Sequence, residues 1–164
     1  MASVGMLQKT RNLALRTLGY LDFFPGLLTR LIVGFAFMDS GSGKLKNMDN
    51  TIGFFTTLGI PFPEANAAFV ANLEYYGGML LLVGLLTRIV GLLLSSTMIV
   101  ALLTADRDTF VGALTRTGEA GLSDVAPFVL GAFMAWLVVF GPGALSLDAL
   151  LKRFLFKAEE PEKA

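Results

Sequence analysis

A chain of 164 residues that is 54% hydrophobic and only 16% charged is more apolar than an ordinary globular domain, and its mean hydropathy of +0.67 points to lipid surroundings. Thirteen basic and thirteen acidic residues cancel, so no overall basic field would draw nucleic acid. The absence of Cys and His excludes disulfides, thiol redox chemistry, thiolate-held iron–sulfur clusters and imidazole-held zinc or haem, so a redox role would have to be borrowed from a partner or a bound small molecule.

In residues 1–22, Met6, Leu7, Thr10, Leu13, Ala14, Thr17, Leu18 and Leu21 recur at helical spacing among Lys9, Arg11 and Arg16. This pattern predicts an amphipathic helix lying on the bilayer surface. Arg16 and Asp22 interrupt the apolar character and no small-residue cleavage site precedes Pro25, so the segment is expected to be retained. Residues 23–144 then read as a bundle of four spans, at about 23–41, 66–86, 87–105 and 125–140.

Within the first span Arg30, Gly34, Phe37, Gly41 and Lys44 share one helix face. Residues 42–64 carry polar and breaker chemistry and read as an extramembrane loop with a short interfacial turn. One helix from Phe69 to Ala105 would be ~55 Å long, far more than a bilayer, so the chain must reverse near Thr87-Arg88. Residues 106–124 form the longest charged loop. The fourth span has Pro127 in its first turn and stops at Gly141-Pro142-Gly143. Residues 145–164 give an amphipathic C-terminal helix capped by Ser146, followed by a solvated tail. The expected fold is all-α: a four-helix transmembrane bundle with amphipathic interfacial helices at both termini.

Lys9, Arg11, Arg16, Arg88, Lys152, Arg153, Lys157 and Lys163 fall on the side holding both termini, against Lys44, Lys46, Arg107 and Arg116 on the other. The positive-inside rule therefore puts both termini of this multi-pass chain in the cytoplasm.

Arg30 and Glu74 are the costly residues, because an ionisable group within a span needs a partner. Arg30 is placed ~10 Å in from the cytoplasmic end and Glu74 ~12 Å in from the outer end, which leaves ~8 Å between their levels in a ~30 Å core. They are expected to pair across the first two spans. The pair would either line a polar pocket for a quinone headgroup, a small anion or a proton, or simply clasp the spans. Tyr75 and Tyr76 flank Glu74 and could hydrogen-bond a headgroup, although such tyrosines commonly serve as packing or belt residues. Asp39 and Lys44 lie where the first span leaves the membrane, at the mouth of such a pocket or merely solvated. Gly34, Gly41, Gly77, Gly78, Gly84 and Gly91 read as positions of close helix packing. Gly41-Ser42-Gly43-Lys44 lacks the full spacing of a phosphate loop, and the dispersed methionines support no copper site, so no metal is expected.

Taken as an ordered set, Arg30-Leu31-Ile32-Val33-Gly34-Phe35-Ala36-Phe37 with Gly41 and Lys44-Leu45, then Leu58-Gly59-Ile60-Pro61, then Glu74-Tyr75-Tyr76-Gly77-Gly78 with Gly84-Leu85-Leu86-Thr87-Arg88, and finally Gly141-Pro142-Gly143-Ala144-Leu145-Ser146-Leu147-Asp148 resemble the DoxX family of small four-helix membrane proteins. The resemblance covers roughly residues 26–151, and the sequence departs from the family pattern at Asp39-Ser40 and in its long amphipathic N-terminus. It implies a four-span bundle in a bacterial or archaeal inner membrane and an association with redox systems. Relatives include a quinone-reducing subunit of thiosulfate oxidation and partners of oxidative-stress enzymes.

The expected function is therefore an integral membrane accessory subunit of a redox assembly with a quinone or small-molecule pocket near Arg30, Glu74 and Tyr75. The alternatives are a structural scaffold subunit of a larger membrane complex and a small oligomeric transporter. Expected partners are membrane lipids and a membrane protein or further copies of the chain. No hydrolytic triad or nucleotide site can be assembled, so autonomous enzymatic activity is not expected.

Overall fold

The computed structural model describes residues 23–156, which fold into seven α-helices and one 3-10 turn, with no strand among the described residues. The expected helix of residues 1–22 and the tail beyond Phe156 lie outside the described residues. The helices are α1 (Phe23–Lys46), α2 (Met48–Thr57), α3 (Pro63–Val83), α4 (Thr87–Leu103), α5 (Arg107–Thr115), α6 (Ala126–Phe140) and α7 (Leu147–Phe156).

Local chemistry accounts for most of their ends. Pro63 opens α3 and Pro127 lies in the first turn of α6, where a missing N–H costs nothing. Lys44 and Lys46 sit in the last turn of α1, favourable to its carbonyl end. Gly84 and Leu86 adopt left-handed backbone between α3 and α4, and so reverse the chain within three residues.

Several extents differ from the sequence reading. Helix α1 runs five residues past Gly41, because that glycine is used for a close helix contact rather than as a stop. The first expected loop contains α2, whose buried Thr51 and Phe55 are one helical turn apart, and α3 starts at Pro63 rather than Asn66. The second expected loop contains α5, which is bent 80° from α4 after a break of three residues.

Helices α1, α3, α4 and α6 form the bundle, in which α1 packs chiefly on α3 and α4 chiefly on α6. Their shared core comprises Val33 and Phe37 of α1, Leu81 of α3, Val90, Leu94 and Met98 of α4, and Met134 and Leu137 of α6. Both main pairs are antiparallel. Gly34 lies opposite Gly78 and Leu82 while Gly41 lies opposite Ala71 and Tyr75; likewise Gly91 meets Val138 while Gly131 meets Met98. The beginning of α1, the α3–α4 turn, the end of α6 and the start of α7 consequently gather at one end of the bundle.

At that end the carboxylate of Asp148 accepts the backbone N–H groups of Leu86 (2.8 Å) and Thr87 (3.0 Å), and the Asp148 N–H donates to the Gly84 carbonyl at 2.9 Å. Helix α4 lacks a capping side chain of its own, and Asp148 supplies one from α7. Ser146 in turn caps α7, its Oγ accepting the Ala149 N–H at 3.1 Å.

The outer faces of the bundle are apolar. Phe35, Ile89, Leu92, Val139 and Phe140 are each more than half exposed. A continuous apolar exterior around a polar seam is the arrangement expected of helices packed in lipid. Helix α1 is by itself long and apolar enough to cross a bilayer, α4 and α5 meet the same test jointly across their bend, and α6 is a shorter apolar helix of 15 residues.

Candidate functional site

The seam between α1 and α3 is built by glycine. An added Cβ at Gly78 would lie 2.6 Å from the Met38 backbone nitrogen and 2.7 Å from the Gly34 carbonyl oxygen, and one at Gly41 would collide with the backbone of Ala71 and Tyr75. Removing side chains at Gly34, Gly41 and Gly78 lets the two backbones touch. Side chains flanking the contact are thereby brought within direct hydrogen-bonding reach.

Glu74 lies in this seam, its side chain only 3% exposed. Its Oε2 accepts the Ser40 hydroxyl at 2.9 Å and pairs with the Lys44 ammonium, which also donates to Ser40 Oγ at 2.7 Å. Ser40 and Lys44 are four residues apart and face the same way, so one turn of α1 supplies both donors. Lys44 is 27% exposed, placing the buried carboxylate behind a lysine that reaches the surface. This is the one ion pair among the described residues. A buried carboxylate held by an ammonium and a hydroxyl can bind a polar headgroup or exchange a proton.

Arg30 and Glu74 do not pair. The register set by Gly34 and Gly41 puts Ser40 opposite Glu74 and Arg30 opposite Gly84, so the guanidinium and carboxylate levels are ten residues, or ~15 Å, apart along α1. The expected pairing measured Arg30 from Phe23 and Glu74 from Asn66 across a ~30 Å core, whereas the 24 residues of α1 span ~36 Å, so the two levels were drawn too close together. Arg30 is fully buried at the other end of the bundle, where Nη2 donates to the Leu145 carbonyl. Its Nε and Nη1 have no hydrogen-bond partner among the described residues. Gly84 makes room for it, since a Cβ there would overlap the guanidinium.

The remaining candidates divide between seam and surface. Tyr75 is half-buried beside Glu74 and its ring meets that of Tyr76 edge-on at 5.2 Å, whereas Tyr76 itself is exposed. Asp39 is exposed and takes no part in the Glu74 cluster. Gly77 faces Val90 and Leu94 of α4, and Gly91 faces Val138 of α6.

Two residues were missed by the sequence reading. Ser40 had a local signal, its i, i+4 relation to Lys44. Asp148 had none, because its partners are about 60 residues away in sequence.

An apolar-faced helical bundle with a charged seam defines a small helical membrane protein. The chain matches the family model for DoxX over residues 26–107, and it belongs to the DoxX family. It is 30% identical over 146 residues to "Inner membrane protein YphA" of Escherichia coli (strain K12), covering 82% of this chain and 99% of YphA. It is 42% identical over 78 residues to "Putative oxidoreductase CatD" of Bacillus subtilis (strain 168), covering 48% of this chain. That alignment spans 57% of the length of CatD. No solved structure matches the chain.

Proposed function

We propose that this protein is an integral accessory subunit of a redox assembly in the bacterial inner membrane, with both termini cytoplasmic, and that Ser40, Lys44 and Glu74 hold the headgroup of a quinone or a similar small polar molecule. The observation that carries the reading is the use of the Glu74 carboxylate. Among the described residues both of its hydrogen bonds fall on Oε2, leaving Oε1 as an acceptor, while Lys44 spends two of its three N–H donors.

A quinone headgroup presents carbonyl acceptors and, when reduced, hydroxyl donors. The third Lys44 N–H suits the carbonyl and Glu74 Oε1 suits the hydroxyl. Tyr75, the next residue along α3 and half-buried, would supply an aromatic flank to such a headgroup. On oxidation of a quinol, Glu74 would accept the proton of the hydroxyl it binds, the second hydroxyl proton would leave to water, Lys44 would hold the oxygen that gains charge, and the two electrons would pass to the partner oxidoreductase. Reduction of a quinone would run each transfer in reverse. The name of CatD supports the redox assignment, and that of YphA together with the excess of Lys and Arg on one side supports the location and orientation.

The test uses host membranes carrying the native chain, Glu74→Gln or Lys44→Met, with the amount of protein measured in each. The expected result is a fall of about tenfold in quinone-linked oxidoreductase activity per molecule, the size of one lost charge-assisted hydrogen bond. Unchanged activity at normal protein levels refutes the pocket. A second reading is a scaffold subunit in which Lys44 and Glu74 only clasp α1 to α3, favoured by their position beside the glycine contact. Under that reading the same variants leave activity per molecule unchanged, whatever the amount of protein that accumulates.

A further inference from the structure

At the end of the bundle opposite the Ser40–Lys44–Glu74 cluster, a cleft of about 520 Å³ opens between the α3–α4 turn, the segment after α6 and the first turns of α7. Its rim carries two basic side chains, Arg88 and Lys152, and one acidic residue, Asp148. The Asp148 carboxylate is engaged at both oxygens by the N–H groups of Leu86 and Thr87. Arg88 gives Nη2 to the Val139 carbonyl at 3.3 Å, and neither basic residue pairs with a carboxylate among the described residues. Two basic side chains against one carboxylate leave the cleft with a net positive charge of one.

Its other walls are apolar and face outward: Leu86, Ile89, Phe140 and Leu151 are each 45% to 64% exposed. Part of the floor is bare backbone, since Gly141 and Gly143 adopt positive φ, and a Cβ at Gly141 would meet Arg88 Nε and Nη2 at 3.6 Å. Two cations at the level of the helix ends, above apolar side chains that continue along α4 and α6, match a molecule with an anionic head and a hydrocarbon tail.

We infer that this cleft binds an anionic phospholipid, with the phosphate between Arg88 and Lys152 and an acyl chain along Ile89 and Phe140. A neutral zwitterionic lipid offers no net charge to the pair, and free phosphate makes no use of the apolar wall. Juxtamembrane basic residues attract anionic headgroups by a few-fold in affinity each, and the attraction is screened by salt. The site is independent of the Ser40–Lys44–Glu74 cluster.

Native mass spectrometry of the purified chain in neutral detergent, titrated with phosphatidylglycerol or phosphatidylcholine, tests the assignment. The native chain is expected to retain phosphatidylglycerol in preference to phosphatidylcholine, less so as salt is raised. Arg88→Gln/Lys152→Gln should weaken retention by about thirtyfold. Ala144→Trp, which fills the cleft without altering charge, should weaken it as well, and Arg107→Gln/Arg116→Gln, distant from the cleft, should not. Equal retention of phosphatidylcholine, native-like retention by both cleft variants, or displacement of the lipid by inorganic phosphate at comparable concentration would overturn the assignment.

Discussion

Gly78→Leu is expected to abolish accumulation of the protein in the membrane, and Gly78→Ala to destabilise it by about 1–3 kcal/mol, the ordinary range for overpacking. The physical cause is that the obstacles are backbone atoms. The Met38 nitrogen and the Gly34 carbonyl oxygen lie 2.6 and 2.7 Å from the added Cβ, and neither can rotate away as a side chain would. Relief requires α1 and α3 to separate, and their separation weakens the largest helix contact in the bundle and the Val33–Phe37–Leu81 part of its core. Gly43 and Gly53 supply the control, since nothing lies within 4 Å of a Cβ built at either. Substituting alanine at those helical positions should be neutral or stabilising by about 0.5–1 kcal/mol. Protein levels by immunoblot and resistance to denaturing detergent report both outcomes. Equal tolerance at Gly78 and Gly43 would contradict the packing.

The second large effect concerns Lys44 and Glu74, whose removal should be strongly unequal to the sum of its parts. Lys44→Met leaves a carboxylate that is 3% exposed without its counter-ion, and breaking a buried pair in this way costs about 3–5 kcal/mol. The 27% exposure of Lys44 places this variant at the lower end of that range. Glu74→Leu is milder, because the lysine side chain left behind already reaches the surface and can extend toward water. The combination Lys44→Met/Glu74→Leu buries no charge at all and should regain most of the stability lost in Lys44→Met. A double-mutant cycle on detergent unfolding measures this coupling. Strict additivity would show that the two side chains do not interact.

These two cases mark what the sequence discloses and what it withholds. Helical period is a local property, so the shared face of Arg30, Gly34, Phe37 and Gly41 can be read from spacing alone, and all four are buried against neighbours. The axial register of α1 against α3 is not local. It follows from where Gly34, Gly41 and Gly78 seat against the opposing backbone, and fitting both spans to a ~30 Å core exchanged the partner of Glu74 from Lys44 to Arg30. Helices α2 and α5 lay within polar stretches whose breakers and charges suggested loops, yet tertiary contacts hold them, through Thr51 and Phe55 in the case of α2. Asp148 caps a helix that begins 61 residues earlier, a relation that spacing cannot reveal.

The position of Arg30 also bears on function. At the far end of the bundle it contributes a buried cation to the junction of α1, the α3–α4 turn and the segment before α7, so the carboxylate in the seam is left to Ser40 and Lys44. Any ligand of Glu74 must then be recognised by an ammonium, a hydroxyl and a carboxylate, with no guanidinium fork available. That donor set favours a headgroup with single acceptor and donor oxygens over a phosphate or carboxylate that would call for bidentate contacts.

The placement of Glu74 opposite Ser40 can be measured directly, because the chain contains no cysteine. Paired cysteines at positions 40 and 74 and at positions 30 and 74, each treated in native membranes with a short bifunctional thiol reagent, separate the two registers. Ser40→Cys/Glu74→Cys should form the internal cross-link, recognised by its altered mobility, while Arg30→Cys/Glu74→Cys at the same protein level should not. Cross-linking of the second pair and not the first would contradict the seam on which the proposed site is built.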